Sequence, residues 1–122
     1  MNAEIIMALV LWLAHAWLIP FVFSIKHAQW MLGARDDVVE LSVQALRAKR
    51  AAANYAESLP AFLALAIVAK IDGVDLSELA MYWLILRVLF LVLYVLGTPF
   101  IRSLVWTGSL VVLVMMAMAL WV

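Results

Sequence analysis

Residues 47–62, RAKRAAANYAESLPAF, carry a cluster of bases directly into an apolar segment. On a helix, one face of this stretch presents four polar side chains at i, i+3, i+7 and i+10, namely Arg47, Arg50, Asn54 and Glu57. An ionisable residue inside a bilayer is costly, and it usually faces a bundle interior or a wet cavity. Pro60 then removes a backbone donor close to Glu57, which predicts a kink at the same depth. We take this face as the candidate site.

The composition places the chain in the membrane. Of its 122 residues 70% are hydrophobic and 13% are charged, which is far too apolar for an ordinary soluble domain. Four apolar runs, 5–23, 51–71, 79–96 and 104–122, approach the roughly 20 residues that a bilayer core requires. We predict an all-α, integral membrane four-helix bundle that forms a single domain over 1–122. Its helices are predicted at about 5–24, 38–71, 76–96 and 99–122.

The same composition excludes several classes of function. The formal net charge is zero, which argues against nucleic-acid binding. The chain has no cysteine, so it has no disulfide framework and no thiolate nucleophile of its own. No metal site is predicted.

The first apolar run reads as a retained membrane helix, because Glu4 rather than a base precedes it and no small-residue cleavage site follows it before Lys26. Its one interior polar side chain is His15. A lone histidine in a membrane helix is either a proton relay or a structural residue, hydrogen-bonded to a neighbouring helix or lying near the headgroups. We favour the structural reading.

Residues 26–50 form the only sizeable polar stretch. Asp37 followed by Glu40 resembles a capping box, and we therefore predict that the second helix begins at Val38. At the next connection, Gly73 suits a helix end, and Asp75 with Glu78 suits the start of the third helix.

The third run contains Arg87, which shares a helical face with Tyr94. By helical rise Arg87 lies about 15 Å from the Gly97 end of its helix, and Glu57 lies about 10 Å from the Arg50 end of the second. A Glu57–Arg87 ion pair is therefore within reach, and such a pair has a structural role, a role in a site, or both.

The fourth helix starts after a turn, with Thr98 placed to cap it and Pro99 in its first turn. Arg102 then falls where the helix dipole disfavours a cation. A cation in such a place is expected to have an anionic partner, which is either a protein or ligand group or a lipid phosphate.

The distribution of bases predicts the orientation. One side of the membrane is bordered by six bases, and only Lys70 borders the other; the six are Lys26, Arg35, Arg47, Lys49, Arg50 and Arg102. The positive-inside rule places the long loop and the Gly97 turn in the cytoplasm and both termini outside.

The pattern Arg47-x2-Arg50-x3-Asn54-x2-Glu57-x2-Pro60-x-Phe62, followed by Arg87-x6-Tyr94 and Pro99-x2-Arg102-Ser103, resembles the membrane-associated proteins in eicosanoid and glutathione metabolism. The resemblance is to bacterial-type members and covers nearly the whole chain, which implies a bacterial inner-membrane protein. It further implies a homotrimer that binds glutathione, as co-substrate, between subunits near the cytoplasmic side.

The resemblance implies which residues bind glutathione and which two residues take part in catalysis. The positions that match the lining of the glutathione site are Arg50, Asn54, Glu57, Arg87 and Tyr94, and Arg47 joins the predicted set through their shared face. Arg102 matches the arginine implicated in holding the glutathione thiolate, and Ser103 matches a serine that some members use instead.

The chemistry of glutathione fits these residue types. Arginines bind carboxylates through charge-assisted bonds, and Glu57 suits the ammonium group. A cation beside the thiol lowers its pKa and so raises the fraction of nucleophilic thiolate. A groove between helices then supplies a lipophilic electrophile dissolved among the membrane lipids.

The chain also departs from the family pattern. Ala53, Ser58 and Phe90 stand where some members carry arginine, tyrosine, and histidine or tyrosine respectively. These differences are compatible with weaker thiol binding or with a different ligand.

The alternatives to a transferase are a non-catalytic protein whose pocket binds a lipid headgroup or a small anionic ligand, and a small multidrug exporter. An exporter of that kind carries its glutamate in the first helix, where this chain offers only His15.

Overall fold

The computed structural model describes residues 2–19 and 42–121. Four helices follow one another in this part of the chain: α1 (Asn2–Leu13), which a π-helical stretch (Ala14–Leu18) extends, α2 (Val43–Asp72), α3 (Ser77–Leu96) and α4 (Pro99–Leu120). The predicted all-α class and helix count are confirmed. The remainder of the first predicted helix, to residue 24, lies outside the described residues, as do Lys26 and Arg35.

The second helix begins at Val43 rather than at the predicted Val38. Ser42 has extended backbone angles, and its side-chain oxygen accepts a hydrogen bond from the Ala45 amide at 3.1 Å, as an N-cap residue does. The capping box predicted at Asp37 and Glu40 lies outside the described residues. From Val43 the helix runs through Pro60 without interruption.

Two glycines end helices in the left-handed conformation, where a side chain is strained. Gly73 ends α2 with φ 71°, and Gly97 ends α3 with φ 78°. Thr98 is the N-cap residue of α4, as predicted, but its side chain does not cap the helix. Its hydroxyl donates backward to the Leu93 carbonyl at 3.1 Å instead of accepting from α4. Pro99 does occupy the first turn of α4.

The start of α3 also differs from the one predicted from Asp75 and Glu78. Leu76, not Asp75, is the N-cap residue of α3, and it makes no side-chain cap. Asp75 Oδ1 accepts a hydrogen bond from the Ser77 amide at 3.0 Å. The carboxylate therefore supports the turn before the helix.

Three of these helices have the length and hydropathy to cross a membrane, namely α2, α3 and α4. The apolar part of α1 that the structure describes, Asn2–Trp17, is shorter than a full span. Lys70 at the end of α2 donates to Asn2 at the start of α1, so these two helices are antiparallel. Large apolar side chains remain exposed along all four helices, as expected of surfaces that face lipid or other helices.

The core is built on aromatic rings and small residues. The Phe62 and Trp83 rings stack at 4.1 Å between α2 and α3, and Tyr55 lies 5.7 Å from Trp83. Five alanines of α2 are fully or almost fully buried, which lets neighbouring backbones approach closely; they are Ala45, Ala48, Ala51, Ala66 and Ala69. This packing fixes which face of α2 meets α3.

Candidate functional site

A polar cleft of about 230 Å³ opens between the middle of α2, the end of α3 and the start of α4. It is lined by Asn54, Phe90, Tyr94, Arg102, Ser103 and Trp106. The reversal at Gly97 turns the chain so that the last two turns of α3 face the first two turns of α4. The structure thus brings together four residues that the sequence singled out: Asn54, Tyr94, Arg102 and Ser103.

Arg102 lies over an aromatic face. Its guanidinium carbon is 4.4 Å from the centre of the Tyr94 ring, a cation–π contact of about 0.5–2 kcal/mol. The anionic partner that the sequence predicted for Arg102 is absent from the described residues, where no carboxylate forms an ion pair with it. The ring therefore holds the cation in place at the dipole-disfavoured helix start and leaves its charge uncompensated.

Arg87 is fully buried and supports the cleft from behind. Its Nη2 donates to Asn54 Oδ1 at 2.8 Å, and its guanidinium carbon lies 4.5 Å from the centre of the Phe90 ring. Arg87 Nε and Nη1 have no hydrogen-bond partner among the described residues. Asn54 is thus oriented by a charged donor that retains two nitrogens without a hydrogen-bond partner in the described residues.

The predicted Glu57–Arg87 ion pair is not formed within the described part of the chain. Helical rise gave both residues a similar depth, but depth does not fix the direction in which a side chain points. Asn54 faces α3 and takes the contact with Arg87, whereas Glu57 is exposed.

Glu57 lies in a second cleft of about 240 Å³, which adjoins the first. Both clefts share Asn54 and Trp106, and the second is also lined by Glu57, Ser58, Ala61, Ser109, Leu110 and Leu113. The carboxylate is therefore next to the polar cleft, across Asn54. Its lining combines polar and aliphatic side chains.

Arg47 and Arg50 do not line either cleft. Arg47 Nη1 donates to the Val95 carbonyl at 3.3 Å, and its guanidinium packs against Gly97. A cation at that position complements the negative end of the α3 dipole. Arg50 is exposed and forms no hydrogen bond or ion pair within the described residues.

The hydroxyl of Ser103 is engaged within its own helix. Ser103 is exposed, and its Oγ donates to the Pro99 carbonyl at 3.0 Å. The hydroxyl oxygen can still accept, but its proton is committed in this arrangement.

Trp106 lines both clefts but was not among the site residues predicted from the sequence. It lies four residues after Arg102 and so shares that residue's helical face. Ser109 continues the same face and is buried in the second cleft. The spacing of α4 contained the signal for both residues.

Comparison with known proteins connects this geometry to a family. The model of the MAPEG family matches residues 3–122. Membership implies, in general terms, a membrane protein with a glutathione-related function of the transferase or peroxidase type. No curated protein and no solved structure matches the chain. Since the family match covers all but the first two of its 122 residues, the chain belongs to the MAPEG family.

Proposed function

We propose that this protein is a membrane-embedded, glutathione-dependent transferase that adds the glutathione thiolate to a lipophilic electrophile or reduces a lipophilic peroxide. The observation that carries the proposal is the Arg102 guanidinium, which lies over Tyr94 in a polar cleft and has no carboxylate partner in the described residues. A fixed, uncompensated cation is what a thiolate requires beside it.

The residues around the cleft suit the polar groups of glutathione. Arg87 has two buried nitrogens, Nε and Nη1, without an acceptor in the described residues, and a buried donor without a hydrogen bond is costly. Glu57 in the adjoining cleft suits the ammonium group, and the exposed Arg50 suits a carboxylate. Arg47, committed to the end of α3, supports the fold around the site rather than holding the ligand.

The proposed chemistry needs little more than a stabilised thiolate. In conjugation, the thiol loses its proton, the sulfur bonds to the electrophilic carbon, and the carbon releases its leaving group or a π-electron pair that takes up a proton. In peroxide reduction, two glutathione molecules supply two electrons and two protons, which gives the disulfide, an alcohol and water. In both reactions Arg102 stabilises the anionic sulfur before the bond forms.

A homotrimer completes the site in this proposal. The cleft of about 230 Å³ is smaller than the roughly 300–1,000 Å³ of common ligand pockets. Glu57 is exposed on a helix that is long and apolar enough to span the membrane, where an uncovered carboxylate is costly. A neighbouring copy would cover Glu57 and enclose the ligand, and family membership suggests three copies.

We also propose an orientation in a bacterial inner membrane. The described bases Arg47, Lys49, Arg50 and Arg102 lie at one end of the bundle, and Lys70 lies at the other beside Asp72, Asp75 and Glu78. The positive-inside rule supports a cytoplasmic site and non-cytoplasmic termini.

A second candidate function is non-catalytic binding of a lipid headgroup or small anionic ligand in the same cleft. Two observations favour it. Ser103 commits its hydroxyl proton to Pro99, and Phe90 brings an apolar ring to a position where some family members carry a polar group.

Calorimetry of the detergent-purified protein separates these functions. The transferase proposal expects glutathione to bind, and it expects conjugation of a generic aromatic electrophile by the same sample. Binding without conjugation and without peroxide reduction supports the second candidate. No binding of glutathione in calorimetry overturns the transferase proposal.

A further inference from the structure

His15 lies in the π-helical stretch that ends α1 and is almost completely buried. Its Nδ1 is 2.8 Å from the Leu11 carbonyl oxygen. Because a carbonyl only accepts, Nδ1 carries the proton, and Nε2 of the neutral ring is an acceptor. Nε2 has no partner among the described residues. π-helical turns are rare and often mark functional sites.

The His15 ring is stacked on Tyr55 of α2. The two ring centres are 4.4 Å apart and the planes differ by 9°. The Tyr55 hydroxyl also donates to the Ala8 carbonyl at 2.5 Å, two turns earlier in α1. Tyr55 is therefore held by α1 both at its ring face and at its hydroxyl.

Tyr55 connects these contacts to the candidate site. The Arg87 guanidinium carbon lies 5.5 Å from the centre of the Tyr55 ring. The same guanidinium donates to Asn54, which lines both clefts. A continuous set of contacts thus runs from His15 through Tyr55 and Arg87 to Asn54.

We propose that His15 is a positioning residue for the cleft. Through its stack on Tyr55 it fixes the Arg87 guanidinium, and through Arg87 it fixes the direction in which the Asn54 amide points. The Leu11 hydrogen bond sets the ring plane within the π-helical stretch, so that the ring lies flat on Tyr55. Only the ligand-binding part of this inference rests on the proposed function.

The first test reads Asn54 directly and needs no ligand. The chain has two asparagines, Asn2 and Asn54, so ¹⁵N-asparagine labelling gives two side-chain amide signals, which Asn2→Ala assigns. We expect His15→Ala to shift the Asn54 amide signal, and His15→Phe, which keeps a ring on Tyr55, to return it close to the wild-type position. Trp17→Ala is the control, because Trp17 is on the same helix but 63% exposed, and it should leave the signal unchanged.

The second test changes Asn54 and observes His15, so it does not depend on whether the His15 variants fold. The chain has two histidines, His15 and His27, so ring ¹⁵N signals are few and can be assigned with His27→Gln. The contacts that carry a change from His15 to Asn54 should also carry a change from Asn54 to His15. We therefore expect Asn54→Ala to shift the His15 ring signals, whereas Asn2→Ala should not.

The third test measures glutathione affinity by calorimetry. We expect about a tenfold loss in His15→Ala, a size typical of coupled neighbours, and wild-type affinity in Trp17→Ala. If the wild-type protein binds no glutathione, the proposed function fails while the two spectroscopic tests still decide the positioning role.

Three results would overturn the inference. One is a folded His15→Ala protein whose Asn54 amide signal is that of the wild type, which would make His15 a purely structural residue. Another is unchanged His15 ring signals in Asn54→Ala. The third is an Asn54 signal in His15→Phe displaced as far as in His15→Ala, since the ring contact would then not carry the effect.

Discussion

Arg87 of α3 and Asn54 of α2 are joined by a 2.8 Å hydrogen bond from a fully buried guanidinium to a neutral amide. No carboxylate balances this charge within the described residues. A buried charge with one neutral partner is a poor source of stability but a strong donor to an incoming anion. The pair therefore contributes little to the stability of the fold, but it holds a strong hydrogen-bond donor behind the cleft.

The first prediction tests how the buried charge of Arg87 and its bond to Asn54 affect the stability of the protein. Asn54→Leu leaves the Arg87 guanidinium without its partner, and we expect a loss of about 1–3 kcal/mol in the free energy of unfolding. Arg87→Met removes the buried charge and fills its volume, so its stability should equal or exceed that of the wild type. The double variant should be more stable than Asn54→Leu alone. Thermal unfolding in detergent measures all three. A loss in Arg87→Met as large as in Asn54→Leu would mean that the charge is well satisfied.

The second prediction concerns Gly97, where a Cβ would lie 2.8 Å from the Arg47 guanidinium carbon. Gly97→Ala adds this clash to a left-handed strain of roughly 1–2 kcal/mol. Gly73→Ala is a matched control, because its φ is 71° and nothing lies within 4 Å of the added Cβ. We expect Gly97→Ala to unfold at a lower temperature than Gly73→Ala. If the Arg47 guanidinium causes the lower unfolding temperature of Gly97→Ala, adding Arg47→Ala should bring that temperature closer to the value for Gly73→Ala. Equal melting temperatures for the two glycine variants would contradict the close packing of Arg47.

The contrast between Arg102 and Arg47 shows how far sequence reasoning reaches. Tyr94 and Arg102 were both predicted as site residues through the family resemblance, and they meet because both lie within two turns of one connection, although their cation–π contact was not predicted. Arg47 shares the face of Arg50 by spacing, but its contact is with Val95, which is 48 residues away. Such a contact depends on how α2 and α3 are rotated against each other. The spacing of residues within one helix does not predict that rotation.

The same limit explains Glu57 and His15. The rise per residue gave Glu57 and Arg87 a similar depth, but the packing of Tyr55 and Phe62 on Trp83 turns Asn54 rather than Glu57 toward α3. His15 makes its hydrogen bond to Leu11 of its own helix rather than to a neighbouring helix, and its ring stacks on Tyr55 of α2.

The third prediction tests the orientation. The chain has no cysteine, so single cysteines introduced at exposed positions can be labelled without background. Val74→Cys in the α2–α3 turn should react with a membrane-impermeant maleimide in intact cells. Phe100→Cys, 74% exposed at the start of α4, should react only after the membrane is opened. The reverse pattern would place the cleft outside the cytoplasm.

The fourth prediction concerns the turn at Asp75. Hydrogen bonds from the Ser77 amide, and then from its hydroxyl, hold the pKa of the Asp75 carboxyl below its ordinary value of 3.8. Because the folded-state pKa is the lower one, the stabilisation is present above about pH 4 and is lost as the pH falls through the folded-state pKa. Asp75→Asn should therefore reduce the loss of stability below pH 4 in a melting series against pH. Asp72→Asn, at the end of α2, is the control and should change the acid limb less. If Asp75→Asn and the wild type lose stability equally below pH 4, the hydrogen bonds between Asp75 and Ser77 contribute nothing to the pH dependence of stability.

The last prediction concerns Arg102 and separates a transferase from a non-catalytic binding protein. If the guanidinium stabilises the glutathione thiolate, Arg102→Leu should raise the pKa of the bound thiol and slow conjugation. One pKa unit corresponds to about 1.4 kcal/mol. Affinity for glutathione should fall less, because Asn54, Arg87 and Glu57 remain. Thiolate absorbance in the ultraviolet against pH, with conjugation rates on the same samples, measures both effects.

Three further variants show whether the effect belongs to Arg102 itself. Arg50→Leu should weaken binding more than the chemical step, since Arg50 lies outside the cleft lining and suits a carboxylate. Tyr94→Phe keeps a ring under the guanidinium, which is 4.4 Å from its centre, so the thiol titration should be unchanged, whereas Tyr94→Leu removes the ring and should shift the titration toward that of Arg102→Leu. If the wild type holds no thiolate at neutral pH, or if Arg102→Leu leaves the titration as it was, then the cation over Tyr94 serves binding alone. The cleft is then better described as a site for a lipid headgroup or another small anion.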